Sequence, residues 1–241
     1  MRQTVTYCTT GSRQSGELFR AKMQALEKLM KRVFGHQPHE IEFVYPTAPF
    51  PLERPDHPSE LRERYGAWTW FQSESIDGTY PGLEGCLEYI ASILKESGPF
   101  DGVIGFSQGA AVAAMVASLL EDNRKSEFAR LEPEDGFLYP ACFASLDHPP
   151  LRFVVSFSGY AASDRAYRAF YDPAIRTPSL HFLGSMDSVV DESVSMRLVE
   201  SSNDAGGQVE PTVIWHSGGH VVPSGKRELA AVVQFVHSNV E

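Results

Sequence analysis

Short apolar segments alternate along this chain with longer segments of helical periodicity, and that alternation is the strongest constraint on its fold. Most of the apolar segments are continuous in Val, Ile and Phe, which is typical of strands covered on both faces, as in a parallel sheet. The predicted strands cover residues 4–8, 41–45, 102–106, 153–157, 179–183 and 212–215. The predicted helices cover residues 16–33, 83–95, 108–120, 192–201 and 225–237. The alternation therefore favours an α/β fold with a mostly parallel central sheet and helices on both faces.

Two long segments interrupt the alternation of strands and helices, residues 46–82 and residues 122–150. Loops of this length are uncommon inside a compact domain and often form lids or pocket walls. The aromatic residues in both segments favour ordered pocket-lining or lid insertions over surface loops. The remaining sequence has the ordinary composition of a globular protein, with 42% hydrophobic and 22% charged residues. We therefore predict a single domain over residues 1–241.

The charge of the chain restricts its partners. It has 21 basic and 31 acidic residues and a net charge of −10, so it repels nucleic acids and anionic membrane surfaces. The longest apolar run, residues 110–120, is much shorter than the roughly 20 residues of a membrane span. The first residues contain no apolar signal core, and we expect a cytoplasmic protein.

The chain has an odd number of cysteines, Cys8, Cys86 and Cys142, and their spacing is not that of metal ligands. Both features predict free thiols.

The most informative motif is Gly-x-Ser-x-Gly, formed by Gly105, Ser107 and Gly109. It follows a predicted strand directly and precedes an Ala-rich predicted helix, which is the context of a nucleophile elbow. In such a turn the serine adopts a strained backbone conformation and projects above the sheet, and a Cβ on either glycine would crowd the neighbouring chain. The alternative is an ordinary serine on a tight turn. We favour Ser107 as the nucleophile.

A serine hydroxyl is a poor nucleophile at neutral pH, so a base has to lie within hydrogen-bond reach. His220 is the candidate base, because it follows the last predicted strand and is preceded by Gly218 and Gly219, which allow the loop to turn back over the sheet. His216 is a rival at the end of that strand. His181 lies inside a strand and is better explained by packing.

An acid that orients the histidine is expected between the serine and the histidine in the sequence. Asp187 is the candidate, because it lies in the loop after the preceding predicted strand, at the same edge of the sheet as Ser107. Asp191 is a rival at the start of a predicted helix, where a carboxylate is commonly a cap. Asp164 follows an earlier strand and is a weaker alternative.

Acyl transfer also needs hydrogen-bond donors for the developing oxyanion. The backbone N–H of Gln108, the residue after the candidate nucleophile, is one expected donor. The second is expected in the loop after the first strand, where residues 9–16 are mostly small and polar, and Ser12 is our choice. The alternative for this loop is a plain connection between strand and helix.

With these motifs placed, the chain resembles the family serine hydrolase (FSH) group of α/β-hydrolases over nearly its whole length. Residues 105–110 and 184–190 match this group and also related thioesterases and carboxylesterases. Residues 216–223, 67–68 and 157–160 are more particular to the FSH group. The resemblance implies an α/β-hydrolase fold, with Ser107 as nucleophile, Asp187 as acid and His220 as base.

The sequence departs from the family pattern at one position. The first strand of the family usually ends in Leu-His-Gly, whereas this chain has Thr9-Thr10-Gly11, so that Thr10 replaces the histidine. Because the oxyanion donor is a backbone group, the replacement bears on side-chain packing around the oxyanion hole and on the choice of substrate.

The resemblance implies a serine esterase or thioesterase that cleaves carboxylic esters or thioesters through an acyl-enzyme, without a metal or other cofactor. Several fungal members release polyketide chains, so a role in fungal secondary metabolism is one expectation.

The candidates for an acyl pocket are Trp68, Phe71 and Tyr160, with core packing as the alternative. The expected partner is a small-molecule acyl ester or thioester. A carrier-protein-bound acyl chain would need a basic patch such as Arg62 and Arg64.

Two other functions are weaker interpretations of the sequence. A non-catalytic small-molecule-binding protein on a hydrolase scaffold is supported only by Thr10. A peptidase is weaker still, because we find no additional domain that would gate a peptide.

Overall fold

Six strands lie side by side in one sheet, and all of them run parallel. The computed structural model describes residues 2–35, 39–52, 67–72, 78–131, 136–203 and 210–240. The described strands are β1 (Arg2–Thr9), β2 (His39–Val44), β3 (Phe50–Leu52), β4 (Ala67–Thr69), β5 (Gly102–Phe106), β6 (Phe153–Phe157), β7 (Ser179–Gly184) and β8 (Thr212–His216). The large sheet has the order β2-β1-β5-β6-β7-β8, and β3 and β4 form a separate antiparallel hairpin. The predicted α/β fold is confirmed.

Helices cover the sheet on both faces. The described α-helices are α1 (Gly16–Phe34), α2 (Leu83–Ser97), α3 (Gln108–Leu119), α4 (Arg124–Leu131), α5 (Ala141–Ala144), α6 (Glu192–Glu200) and α7 (Lys226–Val240). A 3₁₀-helix spans Arg165–Phe170. The sequence did not predict α4, α5 or the 3₁₀-helix. These elements are short, and only a few of their residues are apolar and buried, so they carry too little periodicity to be recognised.

Alternate residues of each central strand point to opposite faces of the sheet. On one face, Cys8, Ile104 and Val155 pack in a cluster that includes α1 and α7. On the other face, Tyr7 and Val103 pack in a cluster that includes α2 and α3. Every residue of α3 is buried, as expected of a helix that is apolar on all sides. The amino end of α3 is thereby held at the carboxyl end of β5.

The order of the strands in the sheet reverses direction at β1, because β2 pairs with one side of β1 and β5 with the other. In open parallel sheets, the crevice at the carboxyl ends of two such strands is the usual ligand site. The Thr9 hydroxyl at the end of β1 donates a hydrogen bond to the Gly109 carbonyl at the start of α3, with an O–O distance of 2.8 Å. This contact joins the two sides of the crevice.

The three cysteines, Cys8, Cys86 and Cys142, are free thiols, as predicted. Burial raises the pKa of the Cys8 and Cys86 thiols far above the usual value. Both are therefore packing residues rather than reactive thiolates. Within the described ranges, no helix has both the length and the apolar surface that crossing a membrane requires.

Candidate active site

Ser107 occupies a strained turn between β5 and α3. Its backbone angles are φ 54° and ψ −122°, in a region that non-glycine residues rarely adopt. The Ser107 N–H donates to the Phe157 carbonyl of the neighbouring strand at 2.8 Å. Its carbonyl accepts from the N–H groups of Ala110 and Ala111 in the first turn of α3. The turn therefore raises the Ser107 side chain at the carboxyl edge of the sheet.

The glycines on either side of Ser107 are required by close packing. A Cβ on Gly105 would lie 2.5 Å from the Cα of Ala110. A Cβ on Gly109 would lie 2.5 Å from the Thr9 carbonyl oxygen and would also contact the Thr10 carbonyl. Both contacts are with backbone, which cannot rotate away. The Gly-x-Ser-x-Gly spacing thus follows from the packing of β1, β5 and α3.

The structure brings the side chains of Ser107, His220 and Asp187 together. His220 Nε2 lies 2.9 Å from Ser107 Oγ, and His220 Nδ1 lies 2.8 Å from Asp187 Oδ2. The His220 ring also packs on the Phe106 ring, with centroids 4.8 Å apart. An imidazole held between a hydroxyl and a carboxylate has the geometry to take a proton from the hydroxyl.

Backbone hydrogen bonds orient the carboxylate of Asp187. Its Oδ1 accepts from the N–H groups of Val189 at 2.9 Å and Val190 at 3.0 Å, which leaves Oδ2 for His220. Burial raises the pKa of Asp187, but hydrogen bonds from Val190, His220 and Val189 outweigh this effect and lower the pKa below the usual value. Asp187 is therefore ionised at neutral pH, as an acid that stabilises an imidazolium should be.

The loops that carry Asp187 and His220 are hydrogen-bonded to each other. The Ser185 N–H donates to the His216 carbonyl at 2.9 Å, and the Met186 N–H donates to the Gly218 carbonyl at 3.1 Å. These bonds continue the pairing of β7 with β8 beyond the strand ends. They hold the two loops at a constant separation, which sets the distance between the carboxylate and the imidazole.

The rival histidines are engaged elsewhere. His216 Nδ1 accepts a hydrogen bond from the Gly218 N–H at 3.1 Å, so its ring supports the turn that carries His220. His181 is fully buried, and its Nε2 lies 3.0 Å from the Ser179 hydroxyl. Burial lowers the pKa of His181 to about 4. Neither ring makes the contacts with Ser107 that His220 makes.

The rival carboxylates are helix caps. Asp191 Oδ1 accepts from the Ser193 N–H at 2.9 Å at the start of α6. Asp164 Oδ1 accepts from the Ala166 N–H at 2.8 Å at the start of the 3₁₀-helix. Both contacts satisfy N–H groups that a helix leaves unpaired.

The expected oxyanion donors lie at the same cleft as the serine. Ser12 follows β1, Gln108 begins α3, and both line a cleft of about 480 Å³ together with Ser107. The Gln108 N–H is the first of α3, so it has no acceptor within the helix. The two segments expected to supply oxyanion donors, the loop after β1 and the start of α3, therefore meet at this cleft.

The predicted pocket residues are only partly found in the cleft. Phe71 and Tyr160 line it, whereas Trp68 is not among its described lining residues. Several lining residues are not predicted by the sequence: Tyr80, Ala161, Ser163, Val189, Val190, Val194 and Arg197. Most of these residues belong to loops after strand ends, and no local periodicity in the sequence reveals the direction of such loops.

Arg62 and Arg64, the predicted basic patch, lie outside the described residues. Among the described side chains, no group of three His, Cys, Asp or Glu residues could hold a metal ion.

Proteins with sequences similar to this chain are named as hydrolases in several organisms. Esterase OVCA2 of Danio rerio is 32% identical over 230 residues, covering 90% of this chain and 89% of that protein. Family of serine hydrolases 2 of Saccharomyces cerevisiae is 29% identical over 237 residues, covering 94% of each chain. A Schizosaccharomyces pombe protein named dihydrofolate reductase is 32% identical over 227 residues. This match covers 90% of the present chain but only 43% of that protein.

Solved structures agree on the fold. Acyl-protein thioesterase 2 of Zea mays superposes over 100% of this chain and 95% of its own, with a TM-score of 0.59 and 20% sequence identity. SOBER1 of Arabidopsis thaliana covers 99% of this chain and 100% of its own, with a TM-score of 0.61 and 14% identity. The sequence profile described as "Serine hydrolase (FSH1)" matches residues 2–232. Since that match extends over nearly all of the sequence, the chain belongs to the FSH1 family of serine hydrolases.

Proposed function

We propose that this chain is a serine esterase or thioesterase that hydrolyses small acyl esters or thioesters through an acyl-enzyme on Ser107. The observation that carries the proposal is the position of His220, whose two ring nitrogens lie within hydrogen-bond distance of Ser107 and Asp187. Relatives named esterases and serine hydrolases, and a structural neighbour named a thioesterase, support the same reaction class.

In the first half of the proposed reaction, His220 Nε2 takes the proton of the Ser107 hydroxyl while the oxygen attacks the acyl carbonyl carbon. The negative charge on the carbonyl oxygen is stabilised by the backbone N–H groups of Gln108 and Ser12. Asp187 holds His220 in the tautomer that leaves Nε2 free to accept, and stabilises the imidazolium. The alcohol or thiol leaves with the proton from His220.

In the second half, a water molecule replaces the departed group. His220 takes a proton from the water as its oxygen attacks the acyl-enzyme carbonyl, and the bond to Ser107 breaks. Ser107 recovers its proton from His220, and a carboxylic acid is released. All the steps use the same groups, so the mechanism serves oxygen esters and thioesters alike.

The shape of the cleft supports a small acyl substrate. Phe71, Tyr80 and Ala161 provide apolar surface beside Ser107, and the volume of about 480 Å³ is within the range of small-molecule sites.

A carrier-protein-bound acyl chain and a role in secondary metabolism stay predictions. The non-catalytic alternative rested on Thr10, and Thr10 is a buried residue whose carbonyl accepts a hydrogen bond from the Trp70 indole at 2.8 Å.

Substitution of Ser107 tests the proposed function. The Ser107→Ala variant should lose turnover of p-nitrophenyl butyrate by a factor on the order of 10⁶ and should no longer be labelled by a fluorophosphonate probe. Ser118→Ala removes a buried serine hydroxyl of α3, the helix that follows Ser107, and should leave both readouts unchanged. If the Ser107→Ala variant hydrolyses the ester at the wild-type rate, Ser107 is not the nucleophile. Matched oxygen esters and thioesters of increasing acyl length then identify the preferred leaving group and chain.

A further inference from the structure

The side chain of Gln108 makes a set of hydrogen bonds that the proposed reaction steps do not use. It is buried, with 6% of its surface exposed. Its Oε1 accepts from the Trp70 N–H at 3.0 Å, and its Nε2 donates to the Phe71 carbonyl at 2.8 Å. The Thr69 hydroxyl lies 2.8 Å from Oε1 as well. Both ends of the amide are thus paired with one short segment, residues 67–71, which we call the strap.

The strap is joined at its other side to the loop after β1. The Trp70 indole N–H donates to the Thr10 carbonyl at 2.8 Å. The Arg13 N–H donates to the Trp68 carbonyl at 2.6 Å. These two contacts bracket Ser12. The strap therefore connects the amino end of α3, which carries one proposed oxyanion donor, with the loop that carries the other.

The same strap forms part of the acyl pocket. Phe71 lines the cleft beside Ser107, and its ring packs against Tyr80 with centroids 4.9 Å apart. The carbonyl of Phe71 is the group that accepts from Gln108 Nε2. A shift of the Gln108 amide would therefore move the pocket wall and the loop of Ser12 together.

Only an amide satisfies these contacts. The Trp70 N–H needs an acceptor, and the carbonyl of the next residue, Phe71, accepts from Gln108 Nε2 as well as from the Thr69 hydroxyl at 2.6 Å. Glutamate would offer two acceptors and place a carboxylate against the Phe71 carbonyl. Methionine has a similar length but no strong donor or acceptor. Buried groups left without partners are costly, so either replacement should displace the strap.

We propose that the Gln108 side chain is a positioning residue that couples the acyl-binding wall at Phe71 to the oxyanion donor at Ser12 through the strap. This inference rests on the proposed function, because it assigns the strap a role in acyl transfer. It differs from the backbone role of Gln108 in that it depends on the side-chain amide alone. It implies that the length of acyl chain the enzyme accepts and the rate of the chemical step are linked through one residue.

Two variants test the side chain while keeping the backbone N–H, Gln108→Met and Gln108→Glu. Hydrolysis of p-nitrophenyl acetate and octanoate is measured, with the active sites counted by fluorophosphonate labelling. We expect kcat per labelled site to fall roughly 10- to 100-fold, because displacement by about 1 Å costs a factor of that order. We also expect the ratio of kcat/KM for octanoate to that for acetate to change several-fold. Should one variant not fold, the other carries the test.

A purely structural role for Gln108 predicts a different result. Thermal stability would fall, while kcat per labelled site and the octanoate-to-acetate ratio would stay at wild-type values, and that result would overturn the proposal. Ser118→Ala serves as the control for a buried polar change in the same helix. If the wild-type protein is neither labelled nor active, the proposed function fails, which is distinct from the failure of this inference.

A double-mutant cycle tests the coupling through the strap. Trp70→Phe removes the indole N–H that holds the Thr10 carbonyl. If Gln108 and Trp70 act through the same segment, the loss of kcat in Gln108→Met/Trp70→Phe should be clearly smaller than the product of the two single losses. Independent, multiplicative losses would contradict the coupling.

Discussion

Asp187 and His220 lie 33 residues apart in the chain, yet the Asp187 carboxylate oxygen Oδ2 is 2.8 Å from Nδ1 of the His220 ring. The loops after β7 and β8 make this contact, and hydrogen bonds between the loops hold it in place. The carboxylate determines which ring nitrogen carries the proton. It thereby leaves the other nitrogen to accept from Ser107, 2.9 Å away.

The Asp187→Asn variant should lose about 10⁴-fold in kcat with little change in structure, because an amide favours the wrong tautomer of the histidine. Steady-state hydrolysis of a p-nitrophenyl ester measures the effect. Asp164→Asn is the matched control, because asparagine also caps a helix well and Asp164 lies outside the described cleft lining. Wild-type kcat in Asp187→Asn would rule out Asp187 as the orienting acid.

The stability of the protein should depend on the ionisation of Asp187 in acid. Its pKa in the folded state lies below the ordinary value of 3.8, so ionised Asp187 stabilises the folded state above that pH. This contribution is lost as the pH falls through the lower, folded-state pKa. Melting temperatures of the wild type and Asp187→Asn should therefore differ most above about pH 5 and converge in stronger acid. A difference that grows on acidification would contradict the sign of the shift.

Gly109→Ala should destabilise the fold at the start of α3. The added Cβ would lie 2.5 Å from the Thr9 carbonyl oxygen, and overpacking of this kind typically costs about 1–3 kcal/mol. Urea unfolding measures the loss. Gly85→Ala is the comparison, because its Cβ would approach only the Phe50 ring, at 3.3 Å, within α2. Alanine there should be neutral or stabilising by up to about 1 kcal/mol. Equal stabilities of the two variants would contradict the packing argument.

His216 should be a supporting residue for the His220 turn rather than a base. His216→Asn keeps an acceptor near the position of Nδ1 and should retain most of the wild-type kcat. His216→Leu removes the acceptor of the Gly218 N–H and should lower kcat by roughly 10-fold or more, because His220 is displaced. Steady-state kinetics on both variants provide the test. Complete loss of activity in His216→Asn would instead favour His216 as the base.

The ion pair between Arg124 and Glu121 should stabilise the fold without affecting chemistry. The Arg124 side chain is 1% exposed and that of Glu121 is 7% exposed, with 2.5 Å between Nη2 and Oε2. Arg124→Met leaves a buried carboxylate without its cation, which typically costs about 3–5 kcal/mol. For a protein of this size the melting temperature should fall by roughly 6–20 °C. Differential scanning calorimetry checks this value, and an unchanged melting temperature would contradict it. At 25 °C the kcat of the folded fraction should equal that of the wild type.

The local elements of the site were predictable from the sequence. Residues 102–106 form β5 as predicted, and the helix after Ser107 ends one residue earlier than the predicted 108–120. These predictions succeeded because uninterrupted apolar strands and buried Ala-rich helices have a strong local pattern. The sequence predicts Ser107, Asp187 and His220 as site residues because each follows a predicted strand, and parallel strands present their carboxyl ends at one edge.

The order of the strands and the contacts around the strap were not predictable in this way. No local pattern shows that β1 lies between β2 and β5, since strand order depends on contacts between distant segments. Trp68 and Trp70 are equivalent as aromatic residues in one sequence segment, yet it is the Trp70 indole that is fully buried and bound to the Thr10 carbonyl.

The sequence alone thus determined the class of fold and the positions of the three candidate side chains, because both depend on short-range periodicity and on turns at strand ends. Only the tertiary structure decided that the side-chain amide of Gln108 pairs with the strap. That pairing depends on a donor 38 residues away, the Trp70 N–H, and an acceptor 37 residues away, the Phe71 carbonyl. Hydrogen bonds of this range form only when the whole fold brings their partners together, and no segment of sequence contains that information by itself.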